Sequence, residues 1–81
     1  MTTPSRVDIG AAIALLRHGL GMSQGDLAAR VHVSRVTVGS WERGQRRAGD
    51  LRPACRVLGT TAPRLMTLAR VIAAAVADAT R

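Results

Sequence analysis

The stretch Ser23–Gly44, SQGDLAARVHVSRVTVGSWERG, decides the fold of this 81-residue chain. Ser23 is followed three residues later by Asp26, a variant of the Ser-x-x-acid signal that begins helices. Apolar residues then recur at the spacing of one helix face, namely Leu27, Ala28 and Val31. The pattern predicts a short helix of about nine residues after Ser23.

A second helix follows after a tight break at His32, a residue type that tolerates the left-handed backbone conformation. Ser34 is predicted to cap this helix and Gly44 to end it, while Val38 and Trp41 mark its buried side. A connection of only about three residues forces the two helices to cross steeply. One face of the second helix therefore projects from the body, which is helix-turn-helix geometry.

Helical patterns also flank this pair. Asp8 is predicted to cap a first helix after a frayed N-terminal end, Asp50 to cap a fourth, and Thr61 to open the last. No segment alternates polar and apolar residues over enough positions for a strand. We therefore predict an all-α fold, a compact bundle of five short helices forming one domain over residues 1–81, with residues 62–80 as an extended C-terminal helix.

The chain resembles the Cro and phage-repressor-like (XRE) helix-turn-helix family over Ile13–Met66, about two-thirds of its length. The motifs that carry the resemblance are Leu16-Arg17, Met22-Ser23-Gln24, Leu27-Ala28, Val33-Ser34, Val38, Glu42-Arg43-Gly44 and Leu58-Gly59. The resemblance implies a lambda-repressor-like bundle whose third helix enters the major groove of double-stranded DNA. One departure is His32, which stands where the family commonly has glycine.

The resemblance also implies roles for individual residues. The DNA base-reading positions that it gives are Arg35, Val36 and Ser40; the alternatives are that Arg35 touches only phosphate and that Val36 is a scattered surface residue. Gly39 is added as a base-reading position because its missing side chain would let the helix approach the bases closely, the alternative being a tolerated defect of the helix. It also places Gln24 against the DNA backbone. The other predicted backbone contacts are Ser34 and Thr37 in the third helix region and the cations at the rim of that helix, Arg43, Arg46, Arg47 and Arg52. Arg17 and Glu42 match a structural ion pair that ties the first helix to the recognition helix and sets geometry rather than sequence preference.

The charge distribution favours an anionic partner. The chain has a formal net charge of +7, and all 12 basic residues are arginine. Residues 35–56 hold six of these arginines against two acids, a net +4. A charge cluster beside a projecting helix is the expected footprint of nucleic acid, and binding is expected to weaken steeply with salt.

Other classes of protein are disfavoured by the sequence. His18, His32 and Cys55 lack metal-ligand spacing, and the five acids are too scattered for paired-carboxylate catalysis. We expect no enzyme activity, metal, cofactor or small-molecule substrate. The lone cysteine fits a reducing compartment, and neither a membrane span nor a secretory signal is readable. A cytoplasmic protein of a bacterial cell or phage-infected host is expected.

The last helix is longer than the family's usual fifth helix. Its apolar stripe, made of Leu65, Leu68 or Ala69, Ile72 and Val76, is predicted either to form a dimer surface through Leu65, Leu68, Ile72 and Val76 or only to cover the core. Proteins that read a few base pairs per helix gain affinity as two-fold dimers on palindromic half-sites.

The leading hypothesis is therefore a small Cro-type transcriptional repressor, acting as a homodimer. A restriction-modification controller or an antitoxin is the near alternative. A protein-interaction module that uses the C-terminal helix is a different class. RNA binding is less favoured, because the chain lacks the aromatic platform of single-strand recognition.

Overall fold

The computed structural model describes residues 3–46 and 48–80 of the chain. Within them lie five α-helices and a 3-10 turn between the third and fourth: α1 (Arg6–Gly19), α2 (Gln24–Val31), α3 (Arg35–Glu42), the turn (Ala48–Leu51), α4 (Arg52–Val57) and α5 (Ala62–Ala79). The described ranges contain no strand. The predicted all-α bundle of five short helices is confirmed.

The start of α1 differs from the prediction that Asp8 caps it. Ser5 is the capping residue, since its hydroxyl accepts from the Asp8 N–H at 3.2 Å. The Asp8 carboxylate in turn accepts from the Ser5 N–H at 2.8 Å. Asp8 therefore sits inside the first turn as the return half of a capping box. Of the described residues before α1, Pro4 is buried, whereas Thr3 and Ser5 are exposed.

The start of α4 also differs. Asp50 was predicted to cap it, but this residue lies inside the 3-10 turn, and the capping position is taken by Leu51, without a side-chain hydrogen bond. Leu51 is fully buried. Because burial of Leu51 fixes the 3-10 turn, α4 begins at Arg52, one residue later than predicted. Pro53 still lies in the first turn of the helix.

The core is aliphatic and lies where the five helices meet. α1 packs against both α5 and α3, and α2 packs against α3 and α4. Trp41 is buried, which confirms its predicted role as a core residue. The free Cys55 is buried as well, and burial raises the pKa of its thiol. This cysteine is a packing residue, not a reactive one.

The long last helix extends beyond the body that it packs on. Thr61 caps α5 as predicted, with its hydroxyl accepting from the Arg64 N–H at 3.3 Å. Leu65, Ala69 and Ala73 are buried, whereas every residue from 74 to 80 is exposed. The described part of the chain accordingly measures 39 × 22 × 21 Å. No helix in these ranges is both long and apolar enough to cross a membrane.

Candidate nucleic-acid interface

The connection between α2 and α3 is as tight as the sequence indicates. His32 adopts the left-handed conformation, φ 63° and ψ 44°, immediately after α2. The N–H of the next residue, Val33, donates a hydrogen bond to the Ala28 carbonyl at 3.0 Å. Ser34 then caps α3 by accepting from the Thr37 N–H at 3.1 Å. The predicted caps at Ser23 and Ser34 are both confirmed.

α3 has one buried and one exposed side. Val38 and Trp41 face the core, while Arg35 is exposed and Val36 is 69% exposed. Val36 is the exposed apolar side chain of a helix whose other large apolar side chains are buried. Its neighbour Arg35 presents a guanidinium beside it, so the exposed side of α3 offers both a methyl surface and a forked donor.

Gly39 and Ser40, the other predicted base-reading residues, are less open. Gly39 is buried, and the space that a Cβ would fill there lies 3.0 Å from Nη1 of Arg43. Ser40 is half-buried, and its hydroxyl donates to the Thr37 carbonyl at 2.6 Å. In this state Arg43 folds over the outer face of Gly39. Any base contact by Gly39 requires that arginine to move, which its flexible side chain permits.

A buried ion pair fixes α3 to α1. Nε of Arg17 donates to Oε2 of Glu42 at 2.7 Å, and Nη2 donates to Oε1 at 3.0 Å. The third arm, Nη1, donates to the Met22 carbonyl at 2.8 Å. The two side chains are 7% and 10% exposed. These two hydrogen bonds form a bidentate arginine–carboxylate pair. The pair joins α1 to α3, as the resemblance implies.

The environment keeps both partners of the pair charged. Burial alone would raise the pKa of Glu42, but hydrogen bonds from Arg17 and Gln24 outweigh it and hold that pKa below its ordinary value of 4.5. The hydrogen bond to Glu42 raises the pKa of Arg17 further. The ion pair therefore persists through the neutral range and weakens only in acid.

Two glycines, which the sequence analysis did not single out for this purpose, set the distance between α1 and α3. A Cβ on Gly10 would lie 2.5 Å from the carbonyl oxygens of both Trp41 and Glu42. A Cβ on Gly44, where φ is +84°, would lie 2.7 Å from the Val7 amide nitrogen. The C-terminal end of α3 thus rests directly on the α1 backbone. No local signal marks Gly10, since it lies in an ordinary helical stretch.

Gln24, predicted to contact the DNA backbone, makes two contacts within the protein. Its Nε2 donates to Oε1 of Glu42 at 3.1 Å, and its Oε1 accepts from Nη1 of Arg35 at 3.5 Å. The side chain lies at the edge of a shallow depression between the end of α1 and the start of α2, with Arg35 on the same rim. Sequence reasoning missed these bonds because their partners are 11 and 18 residues away.

The tight connection between α2 and α3 and the exposed side of α3 agree with a match to a known protein family. Residues 8–69 match the model of a family described as a helix-turn-helix domain. The chain belongs to that family. The match covers α1 from Asp8 onward, all of α2, α3 and α4, and α5 as far as Ala69. Comparison with curated protein sequences gave no significant match.

Solved structures share this helix-turn-helix fold. One crystal structure of the clp gene regulator ClgR from Corynebacterium glutamicum is 27% identical, with a TM-score of 0.78 over 99% of this chain and 92% of that one. Another ClgR structure gives 27% identity and a TM-score of 0.72 over 80% and 87%. The hydroxypropylphosphonic acid epoxidase from S. wedmorenis, at 24% identity and a TM-score of 0.67, shares the fold over 36% of its length.

The remaining predicted DNA-contacting side chains of this helix-turn-helix protein are mostly open to solvent. Arg43, Arg46 and Arg52 are exposed, as is Ser34, whereas Thr37 is half-buried. The hydroxyls of Ser34 and Thr37 lie 3.0 Å apart, so the Thr37 side chain contacts the residue that caps α3. Arg47 lies outside the described residues.

The predicted dimer residues on α5 do not share one environment. Leu65 is fully buried in the core of the single chain, which removes it from any surface and corrects its inclusion. Leu68 and Ile72 are half-buried, and Val76 is 53% exposed. The stripe therefore passes from core to surface along the helix, because α5 continues after the body that it packs on has ended.

Proposed function

We propose that this helix-turn-helix protein is a transcriptional regulator that binds double-stranded DNA with α3 in the major groove. The observation that carries the proposal is the division of α3, with Val38 and Trp41 in the core and Arg35 and Val36 facing outward. A helix held rigidly at both ends, with its free side toward solvent, suits insertion into a groove that admits one helix. Likeness to a clp gene regulator supports the regulatory role. A cytoplasmic location is part of the same proposal, since the partner is DNA.

The exposed side chains suggest how bases and phosphates are divided among them. Arg35 can donate two hydrogen bonds to the O6 and N7 atoms of guanine, and Val36 can meet a thymine methyl group. Arg43, Arg46 and Arg52 supply exposed cations for phosphates after α3. In this scheme phosphate contacts fix the register on the duplex, and Arg35 with Val36 reads the sequence.

Selection of bound sequences from a random duplex pool tests the base-reading role. The wild-type protein is expected to enrich one motif, and Arg35→Ala to lose discrimination at one base pair by about 1 to 3 kcal/mol, or roughly 5- to 150-fold. Arg64→Ala removes an equal charge from α5 and leaves every base preference intact. Wild-type protein that enriches no sequence refutes the proposal and favours a protein-interaction module.

Salt dependence tests the electrostatic part separately. If arginines neutralise several phosphates, the logarithm of the binding constant falls linearly with the logarithm of salt concentration. Arg46→Ala is expected to weaken binding to all sequences alike and to lower that slope by about one phosphate contact. An affinity that stays flat from low to moderate salt contradicts phosphate contacts by this cluster.

We further propose that two copies bind a palindromic operator as a homodimer, through Leu68, Ile72 and Val76 of α5, and repress by occupying a promoter. Every described residue of α5 after Ala73 is exposed. An unpacked helix end is marginally stable in water, and a second copy related by two-fold symmetry would cover its apolar stripe. The enriched motif is then an inverted repeat with half-sites about 34 Å apart.

Sedimentation velocity of point variants tests this surface. Val76→Asp is expected to shift a dimer to monomer and to weaken operator binding. Ala74→Asp is the matched control, since Ala74 is also exposed on α5 but lies about 160° around the helix from Ile72 and Val76 and about 120° from Leu68. Equal effects of the two substitutions contradict the stripe as the interface. Truncation after Met66 is a poorer test, because it also removes the buried Ala69 and Ala73.

A further inference from the structure

A continuous series of side-chain hydrogen bonds runs from the buried ion pair to the exposed side of α3. Arg17 donates to both carboxylate oxygens of Glu42 at 2.7 and 3.0 Å. Gln24 donates to Oε1 of Glu42 at 3.1 Å, and Arg35 reaches Oε1 of Gln24 at 3.5 Å. The series joins three helices, α1, α2 and α3, and ends on the arginine proposed to read a base.

The chemistry of these groups allows one direction of bonding. A carboxylate only accepts hydrogen bonds and a guanidinium only donates them, whereas a glutamine amide has one end of each kind. Gln24 must therefore turn its nitrogen toward Glu42 and its oxygen toward Arg35. A flipped amide would set oxygen against carboxylate and N–H against guanidinium, losing both bonds. The negative charge of Glu42 thus dictates which end of Gln24 faces Arg35.

Burial increases from the Arg35 end of the series to the Glu42 end. The Glu42 side chain is 10% exposed and held by two bonds from Arg17, Gln24 is half-buried, and Arg35 is exposed on a long flexible stem. An unguided arginine loses much rotamer freedom when it docks on a base. A fixed acceptor beside Arg35 restricts that freedom before DNA arrives.

We infer that Glu42, acting through Gln24, positions the Arg35 guanidinium for base reading. The Arg17–Glu42 pair then contributes to sequence preference as well as to helix packing. Gln24 and Glu42 are positioning residues in this scheme, since neither needs to touch a base. The inference rests on the proposed DNA-binding function and on the base-reading role of Arg35.

Discrimination at a single base pair tests it. Arg35→Ala first identifies the base pair whose identity ceases to matter. Gln24→Ala is expected to lower the ratio of Kd values at that base pair by about 3- to 10-fold, the worth of one hydrogen bond, and to leave the ratios at other positions within about twofold. Gln45→Ala, which removes an exposed glutamine just after α3, is expected to change none of them.

Glu42→Gln examines the origin of the series. Because each ratio compares two duplexes bound by the same protein, a smaller folded fraction cancels from it. We expect the loss to fall at the Arg35 base pair, and the double variant with Gln24→Ala to lose no more than either single variant, since both act on one path. The double variant with Arg35→Ala is expected to equal Arg35→Ala alone.

The outcomes separate this inference from the function that it rests on. A wild-type protein that selects no sequence overturns both. If the wild type selects a motif but Gln24→Ala or Glu42→Gln keeps full discrimination at the Arg35 base pair, the positioning role alone is overturned. It is equally overturned if Gln24→Ala weakens binding to every sequence by the same factor, because that result assigns Gln24 to phosphate contact only.

Discussion

Replacement of Gly10 by alanine distinguishes local helix preference from tertiary packing, because the two predict opposite signs. Alanine is favoured over glycine inside a helix by about 1 kcal/mol. At Gly10, however, the new Cβ would lie 2.5 Å from the carbonyl oxygens of Trp41 and Glu42, well inside the 3.0 Å that real Cβ contacts respect. α3 must therefore move from α1 by at least 0.5 Å, the difference between those two distances.

The expected magnitude follows from that displacement. Overpacking costs about 1 to 3 kcal/mol, and a clash with two backbone atoms at the end of a helix lies at the upper end of this range. After the gain of about 1 kcal/mol from helix preference, a net loss of about 2 kcal/mol remains. In a domain of this size that lowers the midpoint of thermal unfolding by roughly 8 to 16 °C.

Urea and thermal unfolding followed by circular dichroism provide the assay. Gly19→Ala is the matched control, since Gly19 also lies in α1 but a Cβ there meets nothing within 4 Å. This control is expected to leave stability unchanged or to raise it by up to about 1 kcal/mol. A Gly10→Ala protein as stable as the wild type would refute the close packing of α1 on α3.

Three further predictions concern single residues. Glu42→Ala leaves Arg17 buried without its partner and is expected to lower the free energy of unfolding by about 3 kcal/mol in urea unfolding at neutral pH. Because folding lowers the pKa of Glu42 below 4.5, this difference from wild type is fully present above about pH 4.5. It shrinks as the pH falls through the pKa of the folded state. His32→Gly relieves a left-handed residue and is expected to raise the free energy of unfolding by about 0.5 kcal/mol, so a loss of stability would contradict strain there. Gly39→Ala displaces only the Arg43 guanidinium and is expected to stabilise the free protein by about 0.5 to 1 kcal/mol while weakening DNA binding. If stability and DNA affinity rise together, Gly39 does not serve close approach of α3 to the bases.

Interactions between residues close in the chain are predictable from this sequence, whereas those between distant residues are not. The caps at Ser23, Ser34 and Thr61 join atoms three residues apart, and such bonds are legible in a short window. Asp8 and Asp50 were wrongly predicted as caps because aspartate is a common capping residue, but both lie inside a turn whose start is set by another residue. Ser5 competed for the first cap, and burial of Leu51 fixed the turn before α4.

The candidate site divides in the same way. Helical periodicity placed Val38 and Trp41 inside and Arg35 and Val36 outside, as the structure has them. The same periodicity put Leu65 and Val76 on one stripe of α5 but gave no measure of where the neighbouring helices end. Leu65 is therefore core, and Val76 is surface.

The sequence by itself determined the helices, the tight left-handed turn at His32 and the exposed side of α3, since each follows from contacts within one or two helical turns. The tertiary structure alone decided the contact of Gly10 with α3 and the amide orientation of Gln24 beside Glu42. Both depend on atoms that are distant in the chain and meet only when α1, α2 and α3 pack together. Gly10 and Gly19 both lie in α1 and look alike in sequence, but only Gly10 faces the backbone of α3, which leaves no room for a Cβ there.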